Sequence, residues 1–160
     1  MFSGREIADA ISRLGYSHVV WVPDSVLGPW EAALEAAANF RLLRVCREGE
    51  AWPLAAGLQI GGKRPLVMMQ CTGLFESGDA LRNVLFDLAL PITAIVGYRS
   101  YLAADSPDTA RKFARPILDA WGIDYRLVAT EDEKPQLASY LAECLRTGRP
   151  GVVLLAEGGT

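Results

Sequence analysis

Short, mostly continuous apolar runs alternate with amphipathic stripes along the sequence, and this alternation restricts the fold more than any single residue does. The runs occupy residues 18–22, 42–46, 66–70, 92–96, 125–129 and 152–156. Their length suits strands, and the lack of apolar–polar alternation within them means that both faces are covered, as in a parallel sheet. The stripes between them, such as Ile7, Ala8, Ile11 and Leu14 or Ala51, Leu54, Ala55 and Leu58, keep helical spacing. Leu27, Trp30, Leu34 and Ala37 mark a further helix, as do Leu81, Val84, Leu85 and Leu88. Ala110, Phe113, Ala114, Ile117, Leu118 and Trp121 keep helical spacing as well, with Pro116 expected to start the regular helix. Ser3 with Glu6, and Thr130 with Glu133, give capping-box signatures, while Gly15 and Gly148 stop the first and last helices.

Right-handed crossovers between such elements give a doubly wound α/β fold: a six-stranded, mostly parallel sheet with helices on both faces. Ligands of these sheets sit outside the carboxyl ends of the strands. The segments found there are Pro23-Asp24-Ser25, Arg47-Glu48, Cys71-Thr72-Gly73-Leu74 and Tyr98-Arg99-Ser100.

The 160 residues, 51% hydrophobic and 22% charged, read as one domain, residues 1–160, whose core needs no disulfide or metal. A net charge of −3 argues against a nucleic-acid partner. No apolar stretch approaches the roughly 20 residues that span a bilayer, so no membrane association is expected. The first residues lack the apolar core of a signal peptide. Cys46, Cys71 and Cys144 are odd in number and far apart, which fits reduced thiols and a cytoplasmic location.

Most motif chemistry fails on inspection. Gly57-Leu58-Gln59-Ile60-Gly61-Gly62-Lys63 begins like a phosphate loop, but Arg64 stands where Ser or Thr would hold magnesium, and Pro65 leads into a strand. His18 is the only histidine and has no companion at ligand spacing, so no metal site is expected on this chain. There is no nucleophile elbow. Cys46 and Cys71 lack an available base and read as small buried thiols. What holds is Arg47-Glu48-Gly49-Glu50-Ala51, where a strand turns into a helix. An acidic residue at that position can serve the helix dipole alone or can serve chemistry.

Four segments, taken together and in order, resemble the pyrimidine-binding domain of thiamine-diphosphate-dependent 2-oxo acid decarboxylases. They are Val22-Pro23-Asp24-Ser25, then Arg47-Glu48-Gly49-Glu50-Ala51 through Ala55-Ala56-Gly57, then Pro65 through Leu74, which would be the following strand and the pyrimidine loop Cys71-Thr72-Gly73-Leu74 with Phe75 and Glu76 after it, and lastly Pro91 through Tyr98-Arg99. Within that family the pattern is most similar to the alpha subunit of sulfopyruvate decarboxylase and the N-terminal domain of phosphonopyruvate decarboxylase.

The resemblance implies thiamine diphosphate as cofactor, with Glu48 as the activating carboxylate on N1′ of the aminopyrimidine. Such a glutamate favours the imino tautomer and works best when desolvated, its pKa raised so that it can share a proton. Glu50 is the competing carboxylate, although the helix stripe places it differently. Thr72, Gly73 and Leu74 would line the pyrimidine, Asp24 and Ser25 would face the reacting carbonyl, and Arg99 would assist with the substrate anion.

The family binds diphosphate and Mg²⁺ through a second domain with a Gly-Asp-Gly motif and a spaced asparagine. Gly78-Asp79-Ala80 is not that motif. The chain, ending at Thr160, is therefore expected to supply half of an active site, with a diphosphate-binding partner subunit holding most of the Mg²⁺ contacts. Self-association is expected as well, with Leu74 and Phe75 exposed for an interface. Relatives read Asn-Ser-Gly-Leu-Gly-Asn where this chain has Cys71-Thr72-Gly73-Leu74-Phe75-Glu76, and Arg-Gly at Arg99-Ser100. Glu76 should disfavour a dianionic substrate unless Arg47, Arg99 or the partner compensates. The implied function is the pyrimidine-binding subunit of a two-component decarboxylase for a small 2-oxo acid, sulfopyruvate- or phosphonopyruvate-like. A carboligase subunit (acyloin- or acetolactate-forming) and a non-catalytic interaction subunit stay open as alternatives.

Overall fold

Parallel pairing of all six strands organises the computed structural model, which describes residues 2–157. The chain runs α1 (Gly4–Arg13), β1 (His18–Trp21), a 3₁₀ turn (Gly28–Trp30) leading into α2 (Glu31–Ala36), β2 (Arg41–Arg44), α3 (Glu48–Ile60) and β3 (Pro65–Gln70). It continues through α4 (Cys71–Glu76), α5 (Gly78–Arg82) with a π turn at Asn83–Asp87, β4 (Thr93–Tyr98), α6 (Ala110–Ala120), β5 (Tyr125–Val128), α7 (Pro135–Thr147) and β6 (Gly151–Ala156). The sheet order is β2-β1-β3-β4-β6-β5, and every pairing is parallel.

The apolar runs explain the layers. Strands β4 and β6 are buried along their whole length and β3 nearly so, whereas the edge strands β2 and β5 are half exposed. Alternate residues feed two cores. Val20, Val67, Met69, Val96 and Leu154 pack with α3, α5 and α6 on one face. Val19, Trp21, Met68, Ile95 and Leu155 pack with α1, α2 and α7 on the other. Neighbouring β1 and β3 send their connections in opposite directions, so a crevice opens between the loops that follow them.

The helix signals were legible in part. Ser3 caps α1 as expected, its hydroxyl accepting from the Glu6 N–H at 3.2 Å while the Glu6 carboxylate accepts from the Ser3 N–H at 2.7 Å. Gly15 and Gly148 take the left-handed conformation that ends a helix. Four readings need correction. Pro116 lies inside α6, because Asp108 accepts the Ala110 N–H at 3.0 Å and starts the helix earlier. Regular α7 begins at Pro135, after a turn in which Glu133 accepts from the N–H groups of Ala129 and Thr130. Cys71 to Glu76, read as a loop, is helix α4. Leu54, Leu88 and Phe113, counted in apolar stripes, lie on the surface.

The loop after β1 is laid across the sheet, and Gly97 of β4 makes room for it. A Cβ on Gly97 would come within 2.7 Å of Val26 Cγ1 and 3.1 Å of Leu27 Cδ2. Gly97→Ala is therefore expected to destabilise the fold by about 1–3 kcal/mol, the usual cost of overpacking. Val26→Ala in the same chain should recover part of that loss, because the two sites share one contact. Urea denaturation of the single and double variants checks this; equal and additive losses would place the loop elsewhere.

Candidate active site

Strand β2 ends at Arg44, and the chain turns through Val45, Cys46 and Arg47 into α3, whose first residue is Glu48. Arg47 has extended backbone and so marks the boundary. The Glu50 carboxylate closes the helix start by accepting from the N–H groups of Cys46 and Arg47, at 3.1 and 3.3 Å. Glu50 is thus occupied by the helix terminus. Glu48 is half-buried, and its carboxylate has no hydrogen-bond or ion-pair partner among the described residues.

The Glu48 side chain lies against α4. A Cβ on Gly73 would sit 2.6 Å from Glu48 Oε1 and 2.8 Å from its Cδ, so only glycine fits beneath that carboxylate. Glu76, one turn further along α4, reaches the flanks of Glu48. Its carboxylate takes Nη2 and Nε of Arg47 at 2.6 and 3.1 Å and the N–H of Gly49 at 2.6 Å. The Arg47 guanidinium, then the Gly49 N–H, hold the Glu76 carboxyl below its ordinary range. The charge anticipated at position 76 is therefore compensated by Arg47 within the chain.

The other expected residues occupy the same strand ends. Thr72 is half-buried beside Gly73. Leu74 is only 2% exposed and packs in the core under α3, and Phe75 packs partly against it. Leu74 therefore provides no free apolar surface for an interface, and Phe75 keeps only part of its ring exposed. In the loop after β1, Asp24 Oδ1 accepts from the N–H groups of Val26 and Leu27 at 2.7 and 2.8 Å, while Ser25 is exposed. Asp24 Oδ2 is buried without a partner, as are Gln70 Oε1 at the end of β3 and Trp21 Nε1 at the end of β1. Burial pushes the Asp24 carboxyl up, against the pull of the Leu27 and Val26 N–H groups. Arg99 is paired through Nε with Asp108 at 2.8 Å, and Asp108 also accepts from the Ser100 hydroxyl. No hydrogen bond or ion pair joins Asp24 or Arg99 to Glu48 among the described residues.

Sequence reasoning missed Glu157, just beyond β6, whose carboxyl is pushed up by burial and further by the charge of Asp24. Its position after a strand end was the available signal. Cys46 is exposed and Cys71 buried, which corrects the reading of Cys46. A cavity of about 710 Å³ lies at the opposite, amino ends of the strands beside Ser17, Lys63 and Arg64, and none of its lining residues belongs to the Glu48 group. Among the described residues, no helix is long and apolar enough to cross a membrane, and no three His, Cys, Asp or Glu side chains are grouped to hold a metal.

No protein-family model matches the chain. It is 27% identical over 122 residues to sulfopyruvate decarboxylase of Methanosarcina acetivorans, a match covering 74% of this chain and 31% of that protein. It is 26% identical over 147 residues to phosphonopyruvate decarboxylase of Streptomyces viridochromogenes, covering 90% of this chain and 36% of that one. The chain is similar in sequence to these decarboxylases. Its fold matches benzoylformate decarboxylase from Polynucleobacter necessarius with a TM-score of 0.76 at 18% identity, covering 98% of this chain and 30% of that one. The doubly wound α/β fold with a six-stranded parallel sheet anticipated from the sequence is the one this chain has. It spans about a third of the length of the proteins it matches.

The contact between Glu48 and Gly73 gives a direct prediction. In an ordinary helix Gly→Ala is favourable by about 0.5–1 kcal/mol. In Gly73→Ala the new methyl occupies the place of the Glu48 carboxylate, so the fold should persist while that side chain swings out. The ¹³C signal of the Glu48 carboxyl is expected to move; a signal coincident with wild type would show that the two groups are not in contact.

Proposed function

We propose that this chain is the pyrimidine-binding, cofactor-activating part of a thiamine-diphosphate-dependent decarboxylase acting on a small 2-oxo acid. The observation that carries the reading is Glu48: a half-buried carboxylate without a partner, at the start of α3, pressed against a glycine that leaves it room. The residues present fit the cofactor. Glu48 would hold a proton against a ring nitrogen, with Thr72 and the Gly73–Leu74 backbone beside the ring. Thiamine diphosphate supplies the carbon nucleophile that adds to the substrate carbonyl and the electron sink for the pair released with CO₂.

Everything else assigned to this chain is positioning and proton traffic. Asp24 and Ser25 stand at the carboxyl end of β1, on the side from which a carbonyl would approach. Burial raises the Asp24 carboxyl, which brings it closer to the pH at which it could hold a proton. The names of the relatives support a sulfopyruvate- or phosphonopyruvate-like substrate. Arg47 and Arg99 are both engaged by carboxylates, so a second anionic group on the substrate would draw its countercharge from elsewhere. The diphosphate and Mg²⁺ would be held by a partner unit with a Gly-Asp-Gly motif, which would also complete the desolvation of Glu48.

Exchanging the two neighbouring carboxylates tests the assignment. In the complex with the diphosphate-binding partner, Glu48→Gln should lower turnover and deuterium exchange at the thiazolium C2 by roughly 10²–10⁴, with a much smaller loss of cofactor affinity. Glu50→Gln should act mainly on the helix terminus, costing about 0.3–1 kcal/mol of stability. Unchanged exchange in Glu48→Gln would remove the reading, and loss of exchange in Glu50→Gln alone would move it by two residues.

A further inference from the structure

Glu48 is the start of a helix, and the start of a helix is where backbone groups lack internal partners and fraying is easiest. A carboxylate that must meet a ring nitrogen needs both its neighbours fixed, because a displacement of about 1 Å can cost 10²-fold in rate. Both neighbours of Glu48 are held by one side chain from outside the helix. Glu76 Oε2 accepts from the Gly49 N–H at 2.6 Å, while Oε1 takes Arg47 Nη2 at 2.6 Å and Nε at 3.1 Å. Glu76 and Gly73 lie three residues apart on α4, on one face of that helix. A single helical turn therefore supplies both the floor under Glu48 and the clamp on the residues before and after it.

We infer that Glu76 is a positioning residue for Glu48: its carboxylate ties Arg47 and Gly49 to α4 and so sets the direction in which the Glu48 carboxylate points over Gly73. The inference rests on the reading of Glu48 given under the proposed function. It explains why an acidic residue is accommodated here. A neutral amide could not take both an arginine and a backbone N–H with charge-assisted strength. The clamp also neutralises Arg47, so that the carboxylate beside it is not drawn into an ion pair.

The full chain reports the clamp through one resonance. A short bond from a backbone N–H to a carboxylate should place the Gly49 amide proton downfield, and its shift should follow the titration of Glu76. That titration lies below the ordinary carboxylate range because of Arg47 and the Gly49 N–H; the bond is therefore kept through mild acid and lost as pH falls through the lowered value. In Glu76→Gln the Gly49 amide should move upfield and lose that dependence. In the complex with the diphosphate-binding partner, the same variant should slow C2 deuterium exchange by about 10–100-fold with little change in cofactor affinity.

A Gly49 amide in the wild-type chain that ignores acid titration overturns the clamp without any variant. An amide that moves in Glu76→Gln while exchange stays at the wild-type rate overturns the positioning role. Glu48→Gln, measured beside it, separates the two claims. If Glu48→Gln is slow and Glu76→Gln is fast, only this inference fails; if Glu48→Gln exchanges at the wild-type rate, the reading of Glu48 fails and takes the inference with it.

Discussion

A parallel sheet buried on both faces leaves chemistry only at the ends of its strands. Every other part of this molecule follows from that constraint. The two cores take alternate residues of β1, β3, β4 and β6, so no side chain in the middle of a strand is available to a ligand. The candidate polar groups sit where strands stop: Asp24 after β1, Glu48 after β2, Gln70 at the end of β3, Arg99 after β4 and Glu157 after β6. The opposite divergence of the connections from β1 and β3 then separates the loops enough to leave an approach between them.

Three glutamates within one neighbourhood show how position decides the use of a carboxylate. Glu50 meets the unpaired N–H groups before its own helix and is consumed by them. Glu76 spans an arginine and a backbone N–H from another helix. Glu48, between the segments those two hold, has no protein partner among the described residues and faces Gly73. Residue type is the same in all three; the number of donors within reach differs.

Strands and helix caps were readable because they depend on neighbours in sequence. The apolar runs located all six strands to within one or two residues, and Ser3 with Glu6 located the start of α1. Helix α4 was missed because Cys71-Thr72-Gly73 carries no cap and a glycine, and because its stability comes from Leu74 in the core instead of from local propensity. The same cause hid the start of α6: its cap comes from Asp108, whose other partners, Arg99 and Ser100, lie at the end of a strand. The position of Glu48 at the start of a helix after β2 was legible from its motif. The partners of Arg47 and Arg99 were not, since an ion pair between distant segments leaves no pattern in either one.

The order of the sheet also bears on how the molecule is made. Strand β6 lies between β4 and β5, so the sixth of the described strands fills a gap between two earlier ones. Until it has been synthesised, β4 presents an open apolar edge and β5 has nothing to pair with. Such an edge is a template for pairing with other chains, and closing it requires contacts between residues far apart in sequence, which slows folding. The nascent sheet is therefore exposed to misassociation until β6, at 151–156, has emerged, and its arrival ends that exposure.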